Sequence, residues 1–260
     1  MVDLSFPGRE LEYFLLVFAR VATFVFAAPF FSQKGVPNQV KIGLSVFVAY
    51  LMYAFVQPHT YPEYRTVFGY SVIIAKEVAV GLFLGAGAQL CTSIVLFAGR
   101  IMDMEIGLSM ANVFDPTTNQ QSSITGVFLQ YGVMLILYET GLHRYLLSAL
   151  KETFTLIPIG GAVFHMDNLL TTVVSFLSDY IVIGFRICLP VFASIMLMNI
   201  VLALLAKLAP QMNMFSVGIQ LKLLAGLGVL VLAISMLPNV CNFITTKMQQ
   251  MVVSMVKGLM

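Results

Sequence analysis

Apolar positions in this chain arrive in long unbroken runs rather than in alternation, and polar residues appear mainly as punctuation between them. Such runs predict helices of membrane length and no strands. The first covers about 11–31 and ends at Pro29, Gly35 and Val36-Pro37, which mark a turn. A second, 42–56, is short for a crossing, since about 20 residues span the hydrocarbon core. A third runs from about 67 to 98 and a fourth from about 124 to 138. The stretch 141–158 predicts an amphipathic helix: Leu142, Leu146, Leu150 and Phe154 recur every four residues, opposite Arg144, Lys151 and Glu152. Residues 169–208 suffice for two crossings with Pro190 as the break. A last span covers 215–237, is stopped by Pro238-Asn239, and is followed by an amphipathic tail. Five to seven membrane-length helices result. The predicted class is all-α, a polytopic helical membrane-protein bundle of kinked helical hairpins.

Between the third and fourth runs the pattern changes. From Gly107 to Thr125 the residues are small, polar or Met, centred on Asp115-Pro116 and Asn119-Gln120-Gln121-Ser-Ser123, and this predicts a loop. Met102, Met104 and Met110 flank or enter it.

Composition agrees with the run pattern. Hydrophobic residues make up 59% of the chain and charged residues 10%, and mean hydropathy is +0.93. A soluble domain carries about 25% charged residues, so the polar surface needed to coat a soluble globule is missing. A net charge of +2 with scattered Lys and Arg excludes a nucleic-acid footprint. Acidic residues near the start and a long first run argue for a retained span rather than a cleavable leader. Lys and Arg divide almost evenly between alternate loops, so the positive-inside rule selects no orientation.

The unusual feature is charge within apolar runs: Arg20, Lys76, Glu77, Asp179, Arg186 and Lys222. Each at a span centre costs about 2.5–3.5 kcal/mol unless it meets a partner or water. Three readings stand open. The charges pair or snorkel within the bundle, form a proton or ion relay, or face polar groups on other protein subunits. The short second run and the prolines in apolar surroundings favour the last. Gly81-Leu-Phe-Leu-Gly85 has the small-xxx-small spacing of closely packed helices.

Catalytic chemistry is not assembled. The three histidines are dispersed, no nucleotide fingerprint, H-E-x-x-H or G-x-S-x-G occurs, and the three cysteines sit singly in apolar runs. No catalytic residue, metal ligand or cofactor is expected, and the chain reads as a non-enzyme. A secondary transporter relaying charge through Glu77, Asp179 and Arg186 is the alternative from a different class.

Several motifs together resemble the FliR family of flagellar and type III secretion export-gate proteins (FliR/SctT). They are Arg20 with Pro29 and Val36-Pro37; Glu77-x3-Gly81-x3-Gly85; Ala98-Gly99-x3-Asp103-x3-Gly107 followed by Asp115-Pro116; and Leu208-Ala-Pro210-Gln211-Met-Asn213-Met-Phe-Ser-Val-Gly218-x3-Lys222. Pro-Gln-Met-Asn before Ser-Val-Gly looks more flagellar than virulence-type. Gln220-Leu221 departs from the more usual Pro-Leu before the lysine.

The resemblance implies a structural subunit that assembles with FliP and FliQ into a channel for unfolded flagellar subunits, or the homologous subunit of a virulence system. FlhB would wrap its entrance and FlhA lie beneath. It implies a FliP-like part, 1–170, and a FliQ-like C-terminal hairpin, 171–260. The site would be the bacterial inner membrane and flagellar basal body, extending to the periplasmic side, with membrane lipid nearby. The 107–125 loop would plug the closed channel through Met110, Asn112, Phe114, Asp115, Pro116, Asn119, Gln120 and Gln121, with Met102 and Met104 as a deformable seal. Arg20, Lys76, Glu77, Asp103, Asp179, Arg186 and Lys222 would be buried polar contacts to other subunits. Gly81, Gly85, Gly99 and Gly107 would pack helices, and Pro210, Gln211, Asn213 and Gly218 would form a turn.

Overall fold

A computed structural model describes residues 8–33, 35–56, 62, 64, 66–109, 123–211 and 213–260, and these contain helices and connections but no strand. In chain order the helices are α1 (Gly8–Ala27), α2 (Asn38–Phe55), α3 (Val67–Ile106), α4 (Ile124–Glu139), α5 (Leu142–Leu156), α6 (Met166–Leu208), α7 (Met214–Ala233) and α8 (Leu237–Leu259), with a 3₁₀ turn at Ile234–Met236. The residues named for the channel plug, Met110 to Gln121, lie outside the described residues.

Three helical stretches among the described residues are long and apolar enough to cross a membrane: Val67–Ile106, Met166–Leu208 and Phe215–Leu259. That is fewer than the five to seven expected: the two crossings expected over 169–208 form one helix, and α4, though apolar, is only 16 residues long. Pro190 does not divide α6, which runs through it as one 43-residue helix. A proline inside a helix loses one hydrogen bond and costs about 3 kcal/mol. A break in hydrocarbon would strand several carbonyls and N–H groups instead. Pro238 likewise ends nothing. It sits in the first turn of α8, where its missing N–H has no helical partner to lose. At 1.5 Å per residue the three stretches run for about 60–70 Å, roughly twice the thickness of a bilayer's hydrocarbon core.

The described residues form two compact units, each discontinuous in sequence. The first unit takes the described residues of Met1–Cys91, Gly141–Phe176 and Thr246–Met260. Its core includes Leu16, Val17, Val21 and Val25 of α1, the predicted stripe Leu142, Leu146, Leu150 and Phe154 of α5, and Met248, Met251 and Met255 of α8. Burying each such side chain contributes about 1.5–3 kcal/mol. Two backbone bonds tie the segment before α6 to the end of α8: Val163 N–H to the Leu259 carbonyl, 3.1 Å, and His165 N–H to the Gly258 carbonyl, 3.0 Å. Tyr64 reaches α1 and donates to the Glu12 carboxylate, which pushes the tyrosine hydroxyl's pKa up.

The second unit takes the described residues of Thr92–Thr140 and Leu177–Thr245. Val95, Ala98, Met102 and Ile106 of α3 are buried there, as are Leu129, Val133 and Leu137 of α4 and Val191 and Ile195 of α6. Much of this unit's apolar surface stays uncovered. In the most apolar window of Met166–Leu208, and in that of Phe215–Leu259, only 17% is buried within the chain. Those faces require lipid or other protein chains.

Candidate functional site

In the first unit the sequence places a cation on α1 and an anion on α3, both on buried helix faces. Arg20 Nε donates to Glu77 Oε2 at 2.6 Å, and both side chains are 0% exposed. The rest of the guanidinium closes the end of α5. Its Nη1 donates to the Thr153 and Ile157 carbonyls and its Nη2 to Ile157, each at 3.1 Å. Those carbonyls lie at the C-terminal end of α5, the negative end of the helix dipole; Thr153 also accepts from the N–H of the cap residue Ile157 at 2.9 Å. Phe154 lies under the guanidinium at 4.4 Å. Glu77 uses its second oxygen to accept from Gly160 N–H at 2.9 Å. The buried charges are thus paired and hydrogen-bonded, which is the condition for tolerating them.

Close helix approach makes this geometry possible. A Cβ on Gly81 would collide with the Arg20 carbonyl and Thr23 Oγ1, and one on Gly85 would come within 2.6 Å of Ala27 Cβ. The small-xxx-small spacing on α3 therefore seats α1.

The second unit holds a clamp. Asp103, near the end of α3, accepts from Ser123 Oγ at 2.7 Å and from Thr125 N–H at 3.2 Å. Ser123 caps α4 by accepting from Gly126 N–H at 2.8 Å. Gly99 lies directly against the Gly126 backbone, leaving no room for a Cβ. Twenty residues apart in sequence, Asp103 and Ser123 are held by one buried, charge-assisted contact.

The other predicted residues divide. Arg20, Glu77 and Asp103, expected as contacts to other subunits, find partners inside the chain. A relay through Glu77 meets the same obstacle, since both of its oxygens are engaged. Lys76 donates to the Ala162 carbonyl at 3.2 Å. Asp179 and Lys222 are partly buried, and Arg186 is exposed. Met102 and Met104 do not share a face: Met102 is 3% exposed and Met104 69% exposed, as two positions about 200° apart on a helix must be. A Cβ placed on Gly107 would meet none of the described residues within 4 Å, and its φ is +94°. It follows the end of α3 in the left-handed region that favours glycine. Pro210 and Gln211 lie in the turn after α6, and Asn213 caps α7 by accepting from Ser216 N–H at 3.5 Å. Gly218 is buried, 3.5 Å (from a Cβ placed on it) to Leu202.

Sequence reasoning missed Thr153, Ile157, Gly160, Ser123 and Thr125. Ser123 was findable: a serine directly before an apolar helical run is an N-cap signal. The other four act largely through backbone groups, for which residue type carries little signal.

Among the described residues no three His, Cys, Asp or Glu side chains group as metal ligands.

Comparison with known proteins follows the same outline. Residues 11–248 match the family model of bacterial export proteins, family 1. A protein of Bacillus subtilis (strain 168) named flagellar biosynthetic protein FliR is 30% identical over 226 residues, 86% of each chain. Proteins of that name from Buchnera aphidicola (subsp. Acyrthosiphon pisum) and Escherichia coli K12 are 30% identical over 212 residues and 24% over 240. Those alignments cover 80% of each chain for the first, and 92% of this chain and 91% of its relative for the second.

Proposed function

The chain belongs to the bacterial export proteins, family 1, and from that premise we propose that it is a structural, non-enzymatic subunit of the flagellar type III export gate. The observation that carries the proposal is the near end-to-end likeness to proteins named flagellar biosynthetic protein FliR. In this reading the chain assembles with FliP-like and FliQ-like chains in the bacterial inner membrane, at the flagellar basal body. The assembly is the conduit for unfolded flagellar subunits, with FlhB-like and FlhA-like proteins at its entrance.

Two physical features support an assembled state. The apolar faces of α6 and of α7–α8 are largely uncovered by the chain itself. The long helical stretches also exceed the hydrocarbon core about twofold, so much of their apolar length needs protein rather than lipid beside it. Asp179 and Lys222 remain the candidates for polar contacts with neighbouring subunits. The polar segment within 107–125 is the candidate plug, with the Asp103 clamp fixing its roots.

A tagged chain, co-expressed with its chromosomal neighbours and extracted in mild detergent, should co-purify with FliP-like and FliQ-like proteins in one particle. Recovery as a stable, partner-free monomer would contradict the proposal.

A further inference from the structure

The second unit contains a mostly apolar cavity of about 200 Å³, larger than the 150 Å³ apolar cavities that hold benzene. It opens where α7 gives way to α8: the 3₁₀ turn at Ile234–Met236 interrupts the helix, and Ala233, Met236 and Val240 line the space beside it. Val95 of α3, Leu129 of α4, and Ile183 and Ile187 of α6 complete the apolar wall. Asn239 and Arg186 are its polar members. Arg186 is exposed, and among the described residues its guanidinium has no hydrogen-bond or ion-pair partner. Neither Glu105 on α3 nor Asp179 two turns earlier on α6 forms an ion pair with it. A lone guanidinium in a helix this apolar is costly unless an anion or water meets it.

We propose that this cavity binds one anionic phospholipid, its acyl chain lying against Val95, Leu129, Ile183 and Val240 and its phosphate group paired with Arg186. A guanidinium presents parallel N–H donors that match phosphate oxygens in bidentate geometry. The apolar wall and the single cation at its edge together match a molecule with an apolar tail and an anionic head. An apolar helix from a neighbouring chain would fill the wall but leave Arg186 unanswered. The proposal does not depend on the export reading.

The test is native mass spectrometry of the full-length protein, titrated separately with phosphatidylglycerol and phosphatidylcholine. The wild type should retain phosphatidylglycerol about fivefold better, the factor expected for one basic side chain near an anionic lipid. Arg186→Gln should bring the two lipids close to equal retention, and Arg100→Gln, an exposed cation outside the cavity, should keep the preference. Val240→Trp should fill the cavity and lower retention of both lipids. Equal retention by the wild type, or an unchanged preference in Arg186→Gln, would overturn the proposal. A photo-reactive residue at position 240 in the assembled complex supplies a second arm. Capture of phospholipid supports the assignment, and capture of a protein chain overturns it.

Discussion

Replacing Arg20 with alanine should prevent stable accumulation of the protein. The substitution strands Glu77 without its cationic partner and removes the guanidinium donors from the Ile157 and Thr153 carbonyls, of which Thr153 keeps the Ile157 N–H. Breaking a buried pair from one side costs about 3–5 kcal/mol, against a total stability of about 5–15 kcal/mol for a typical domain. Arg20→Lys should recover only part of that loss. An ammonium is a point charge and cannot serve a carboxylate and two carbonyls through one planar fork. Arg20→Met combined with Glu77→Met should be more stable than either single change, because no uncompensated charge remains and the site stays filled. The chain has no tryptophan, so the readout is helical circular dichroism on heating in detergent. An Arg20→Ala protein melting within a degree or two of wild type would refute the account of this hub.

Deleting Asn112 to Gln121 should leave the protein folded and make the closed gate leak. Asp103, Ser123 and Gly126 remain in this variant, so the clamp still joins α3 to α4. Lost is the mostly polar segment that would occupy the lumen. Residues of that kind suit a plug, since a segment that must leave for each substrate has to be hydrated and weakly held. Cells carrying the deletion in an otherwise complete gate should show raised ion permeability and slowed growth. Permeability equal to wild type would sink the plug assignment while leaving the clamp's structural role untouched.

These predictions rest on features that were legible in the sequence to different degrees. The α5 stripe could be read directly, because a buried face recurs at fixed spacing whatever packs against it. The small-xxx-small segment also announced its packing. The costs of Arg20 and Glu77 were visible, but not their partnership. They stand 57 residues apart, and sequence gives the energy of a buried charge without the identity of what meets it. The remaining partners are main-chain atoms of Thr153, Ile157 and Gly160, which side-chain chemistry does not mark. Span counting went astray at Pro190, which lies inside α6, and at Pro238, which opens α8 rather than closing α7. Proline is a strong breaker in water, yet at Pro190, in apolar surroundings, ending the helix would expose more backbone than keeping it. At Gly107 the sequence suggested helix packing, but left-handed helix termination also selects glycine, and only the backbone angle reveals it.

The central claim, membership of the flagellar export gate, is tested most directly by secretion. Cells from which this gene has been removed should release no filament subunits into the medium, by immunoblot, while still synthesising them, and the intact chain supplied in trans should restore release. Undiminished secretion of filament subunits in its absence would contradict the account.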